Sequence, residues 1–212
     1  MNYSAINAKL RAMSARPTKN YEAISQAVTS ICLYIPSKNL RDYVIATALT
    51  VTQGGSIHFY MTQWKRLNRL DKPNRTVLRG ILGAEIDLIN ILWMYRLKRY
   101  HRITGDATFG YLVPIRYKLS REITRRMAES ATAKALLDEV ADSPYAKDFG
   151  RLKTGEYTSE AWENGRSTPE QMLAEIIGRR YQVAARRYPN SLAPVLAYLY
   201  KLRMTLQSMA GR

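Results

Sequence analysis

Gly83-Ala84-Glu85-Ile86-Asp87-Leu88-Ile89-Asn90-Ile91-Leu92-Trp93-Met94-Tyr95-Arg96 is the stretch on which the fold turns. From Ile86 to Leu97 the apolar residues are Ile86, Leu88, Ile89, Ile91, Leu92, Trp93, Met94 and Leu97. Stepped at about 100° per residue, they cover nearly the whole circumference of a helix. The segment Val77–Tyr100 therefore predicts a helix buried among others. Glu85 and Asp87 stand about 200° apart around its axis, so the two carboxylates cannot act together on one substrate. Asp87 and Asn90, three positions apart, share a face. They suit either an ion or substrate site or a buried polar network bonding nearby backbone, and the second is favoured because buried polar groups need partners. Gly83 marks a kink or a close helix contact.

Helical periodicity continues on both sides. Ala5, Ile6, Leu10 and Met13 line one helix, which Pro17 stops. Ile24, Val28, Ile31 and Tyr34 line a second, from Asn20 to Pro36. A third runs Asn39–Gln53 and ends at Gly54-Gly55. Ser56 caps a fourth over Ile57–Leu70, and Asp71 with Pro73 opens the helix that holds the central stretch. A short helical turn follows Gly105, Ser120 caps a basic amphipathic helix, and Ser130 or Thr132 starts the next. Ser143-Pro144 starts another. The polar, glycine-bearing stretch 150–167 reads as a loop or hinge. Thr168-Pro169-Glu170-Gln171 has the form of a capping box with proline at the first helical position, opening a helix to about Arg187. A last helix runs from Ser191 toward Met209. Strand signals are nearly absent, so the fold class is all-α, a multi-helix bundle in a single domain over 1–212.

The 212 residues suffice for a substantial core, and a hydrophobic share of 46% excludes a disordered chain despite a net charge of +16. Cys32 is the sole cysteine, which excludes a disulfide scaffold and multi-cysteine metal sites. On an apolar helix face, it reads as a small core residue. His58 and His101 lie far apart without carboxylates at ligand spacing, so no metal site is expected. No phosphate loop or dinucleotide fingerprint occurs, and no cofactor or catalytic residue is expected. The N-terminus has no secretory signal. Tyr43–Trp64 lacks formal charge, but its polar residues and Gly54-Gly55 argue against a spanning helix.

The central stretch resembles the signature helix of the rotor-socket family of V/A-type rotary ATPases, whose members are lettered d in eukaryotes and C in archaea and bacteria. That pattern is a glycine, then acidic-Ile-Asp-Leu-x-Asn, an apolar pair and a closing arginine, here Gly83, Asp87, Asn90 and Arg96. Other segments agree in order: Tyr3, Asn7, Ala8 and Arg11-Ala12; Tyr60 and Trp64-Lys65; Leu112-Val113-Pro114 with Tyr117-Lys118-Leu119; Ser143-Pro144-Tyr145; and Pro189 through Tyr198-Leu199-Tyr200. The resemblance covers roughly 1–30 and 56–200 and identifies a shortened member. Ser30–Ser56 stands where a much longer section belongs, and Leu202, Arg203, Thr205 and Ser208 replace the closing helix's Lys-Glu-x-Glu and later Asn. It implies funnel-like helical repeats, fewer than in the full-length family. It also implies a non-catalytic subunit on the cytoplasmic side of the membrane. There it would link the central stalk to the proteolipid ring and transmit torque for proton or sodium transport. Gly83, Asp87, Asn90 and Arg96 would be structural. A paralogue outside the complex is the alternative within this family.

The charge concentrates in Lys65–Arg126, with fifteen lysines and arginines against five carboxylates. Arg96, Lys98, Arg99, Arg102, Arg116 and Lys118 are candidate contacts to an anionic surface. A membrane leaflet fits a peripheral subunit. Non-specific nucleic-acid binding, with Tyr95, Tyr100, Tyr111 and Tyr117 as stacking residues, is the alternative from another class, although no recognition motif accompanies it.

Overall fold

Side-chain caps set several of the helix ends. In the computed structural model, which describes residues 3–14, 21–53, 55–150 and 168–210, the Ser56 and Ser120 hydroxyls accept from the Phe59 and Ile123 amides, each at 3.1 Å. Thr132, not Ser130, caps the helix that follows them, its hydroxyl taking the Ala135 amide. Thr168 and Gln171 form the reciprocal box, Thr168 N to Gln171 Oε1 at 3.1 Å and Gln171 N to Thr168 Oγ1 at 3.2 Å. Each cap satisfies amides that have no partner within the helix.

The helices so delimited are α1 (Tyr3–Ser14), α2 (Tyr21–Cys32), α3 (Lys38–Gln53), α4 (Ile57–Leu67) and α5 (Lys72–Arg96). A π-helical turn, Leu97–His101, and a 3-10 helix, Gly105–Tyr111, come next. Then come α6 (Arg121–Glu129), α7 (Ala133–Ala141), α8 (Ala146–Gly150), α9 (Pro169–Arg187) and α10 (Ala193–Ala210). No strand occurs among the described residues, and the chain is an all-α bundle. The loop or hinge expected over 150–167 lies, from residue 151 on, outside the described residues.

The chain divides into two compact units, Met1–Ile81 with Gly178–Arg212, and Leu82–Ile177. In the first, α3 and α1 pack on α10, α2 packs on α3 and α1, and α4 on α3. Ile6, Ile31, Ile35, Val44, Leu67 and Leu78 fill its core. In the second, α6 packs on α7 and on the 3-10 helix, and α7 on α8. Every residue from Leu82 to Leu88 is buried, and so are Ile91, Met94 and Leu97, while Ile89, Leu92 and Trp93 are half-buried.

Candidate functional site

Asp87 lies in that buried run, 1% exposed. A buried carboxylate needs donors, and the second unit supplies them from the loop between the 3-10 helix and α6. Asp87 Oδ1 accepts from the Tyr117 amide at 3.1 Å. Its Oδ2 accepts from the amides of Lys118 at 2.7 Å and Leu119 at 3.1 Å, and from the Tyr145 hydroxyl at 2.7 Å. Three consecutive N–H groups thus converge on one carboxylate, and the phenol of a residue just ahead of α8 completes the set.

Asn90, three residues on, takes the other end of the same loop. Its Oδ1 accepts from the Val113 amide at 2.9 Å and its Nδ2 donates to the Val113 carbonyl at 3.0 Å. One side chain satisfies both backbone groups of a buried residue, which only a carboxamide can do.

Gly83 serves the loop by what it lacks. A Cβ there would run into the Tyr117 side chain, closest to its Cγ and 2.8 Å from its Cβ. The close neighbour is therefore a tyrosine of the loop, where periodicity alone pointed to a kink or a helix contact. Gly83, Asp87 and Asn90 stand at i, i+4 and i+7, one stripe of α5, and all three seat the segment Val113–Leu119. Pro114, Arg116, Tyr117 and Lys118 in that segment are exposed. The arrangement fixes a loop. Among the described residues no group of three or more His, Cys, Asp or Glu side chains could hold a metal ion.

Of the cations expected at the surface, Arg96, Arg99, Arg102, Arg116 and Lys118 are exposed. Lys98 is not: it is 6% exposed, and its Nζ donates to the carbonyls of Ala128 at 2.7 Å and Ser130 at 2.6 Å. The ammonium therefore sits on the C-terminal carbonyls of α6, where a helix dipole favours positive charge, and burial pushes its pKa down. Four residues after Met94 and seven after Ile91, both buried, Lys98 continues their stripe, a signal its basic neighbours obscured. Arg102 ends the π-turn with a left-handed φ of 56°. There its N–H and that of Ile103 both reach the Leu97 carbonyl.

A second polar knot, which sequence reasoning missed, lies in the first unit. Asn74, fully buried, accepts the Leu192 amide on Oδ1 at 2.8 Å and donates from Nδ2 to the Tyr3 hydroxyl and Asp71 Oδ2. It ties the start of α5 to α1 and to the start of α10. Cys32 is a free, half-buried thiol with its pKa raised by burial, which outweighs the opposing pull of Arg41.

Asp87, Asn90 and Asn74, buried polar residues of this all-α chain, each bond its backbone. Residues 56–204 match the model of the ATP synthase (C/AC39) subunit family, and the chain belongs to that family. The family is a non-catalytic ATPase subunit, so the chain is not an enzyme on its own. No helix of the described residues is long and apolar enough to cross a membrane. No curated protein and no solved structure matches the chain.

Proposed function

We propose that the chain works as a peripheral, cytoplasmic-face subunit of a V/A-type rotary ATPase, joining the central stalk to the proteolipid ring and passing torque between them. The observation that carries this reading is the family match over 56–204. Torque transmission needs parts that do not yield, and the loop seated by Gly83, Asp87 and Asn90 supports the reading. Its position is fixed by five hydrogen bonds, three accepted by Asp87 and two made by Asn90, so these residues act as structural determinants. Arg96 closes the same helix and is read with them.

The exposed cations Arg96, Arg99, Arg102, Arg116 and Lys118 are the contacts to the ring's acidic surfaces or the anionic lipid around it. Near an anionic leaflet each contributes about 1 kcal/mol. The test is purification of the tagged chain from detergent-solubilised membranes of its source. Stalk and ring subunits in stoichiometric yield are the expected result. A chain recovered free of any ATPase subunit from both membrane and soluble fractions refutes the assembly.

A further inference from the structure

The first unit carries a feature that the family reading does not use. An open groove of about 700 Å³ lies between α1, α9 and α10. Its apolar lining includes Leu10, Ala185, Ala197 and Tyr198, and each of the three helices adds a cation, Arg11, Arg186 and Lys201. All three cations are exposed. Among the described residues no Asp or Glu lines the groove, and none of the three cations meets a carboxylate. Where α1 meets the turn leading into α10, Asn7 Nδ2 donates to the Pro189 carbonyl at 3.0 Å, fixing the groove wall.

We infer that this groove docks an amphipathic, acidic helix of a protein partner. An apolar floor with cations on three separate elements matches a helix whose apolar stripe is flanked by Asp and Glu. The apolar stripe displaces water from the floor, and the flanking carboxylates meet the unpaired cations. Surface charge elsewhere on this +16 chain attracts any anion, so the groove's signature is a joint dependence on these three cations and on the apolar floor.

The test uses the full chain and a fluorescein-labelled synthetic peptide of Leu/Glu heptads, read by fluorescence anisotropy. Arg11→Glu/Arg186→Glu/Lys201→Glu should weaken binding by about tenfold or more, the equivalent of about 1.4 kcal/mol. Lys65→Glu/Arg69→Glu/Lys72→Glu changes charge equally in the same unit and should weaken it by less than about threefold. Ala197→Trp, which fills the floor without altering charge, should also cost about tenfold; Ala185→Trp replaces it if the first variant loses its helical circular dichroism. Equal losses for the two charge triples overturn the inference, as does wild-type affinity in the folded tryptophan variant. If the groove triple abolishes binding to phosphatidylglycerol vesicles while leaving the peptide untouched, the site is for lipid and the inference fails.

Discussion

Replacing Asp87 with alanine tests the loop seat most directly. The carboxylate accepts four hydrogen bonds, and bonds to charged groups contribute about 1.5–3 kcal/mol each. Simple addition would approach the whole stability of a typical domain, about 5–15 kcal/mol, so relaxation decides the outcome. Tyr117 and Lys118 are exposed, and once the loop lifts their amides can turn to water. The Leu119 amide and the Tyr145 hydroxyl are buried and each loses its bond to the carboxylate, at about 1–3 kcal/mol each. With the small void added, Asp87→Ala should cost about 3–5 kcal/mol, in the range for breaking a buried charged network.

Two milder variants give the scale. Asp87→Asn keeps the shape. Its oxygen would take the place of Oδ2, which serves three donors, and its NH₂ would face the Tyr117 amide, so it should cost about 2–3 kcal/mol. Tyr145→Phe removes one donor and should cost about 1–2 kcal/mol. Urea unfolding gives the free energies, and native-state amide exchange by NMR gives the local answer. The Tyr117, Lys118 and Leu119 amides should be protected in the parent and exchange freely in Asp87→Ala. A loss under about 1 kcal/mol with those three amides still protected refutes the seat.

At Gly83, alanine gains up to about 1 kcal/mol of helix propensity but drives a methyl into Tyr117, an overpacking cost of about 1–3 kcal/mol. The net should be a lower melting temperature, partly restored by Tyr117→Ala; a raised melting temperature for Gly83→Ala alone counts against the contact. Asn90→Asp keeps the acceptor for the Val113 amide but loses the donor to its carbonyl, and should destabilise by about 1–3 kcal/mol in urea unfolding. For Lys98 the pKa lies below its ordinary 10.5, so between the lowered value and 10.5 the unfolded chain binds the proton better. Stability from this site therefore rises with pH through that window. Lys98→Met cannot titrate, so its deficit against the parent should widen as pH rises there. A gap that narrows refutes the assignment.

Most helix ends were legible because caps are local. Ser56, Ser120, Thr132 and the Thr168–Gln171 box announce themselves within four residues, and the structure shows each bond. The shared face of Asp87 and Asn90 was legible for the same reason, being a matter of helical pitch. What the two side chains hold was not. Their backbone partners lie 23 to 32 residues away in a loop without periodicity, and backbone amides carry no sequence signature. Asn74 shows the limit more sharply: its bond to the Leu192 amide spans 118 residues, and its own helix gives no hint of it. Lys98 failed for another reason. Lysine in a basic run reads as solvent-facing, and only its place on the Met94 stripe argued otherwise.

The stripe also bears on how a chain can keep this signature while other parts differ. Gly83, Asp87 and Asn90 act on Val113–Leu119 through backbone N–H and C=O groups and through the space that a missing Cβ leaves. None of these bonds depends on which side chains stand at 114, 116 or 118, where this sequence has Pro, Arg and Lys, all exposed. The seat fixes where the loop is, and the loop's exposed side chains are free to fix what it meets. A positive charge that the seat does not require can therefore accumulate on the loop without loosening it. Swapping Arg116 and Lys118 for glutamate should leave the stability within about 0.5 kcal/mol of the parent, the range for surface changes, while reversing any affinity for anionic surfaces. A large loss of stability in that double variant would mean the exposed side chains, and not the stripe, hold the loop.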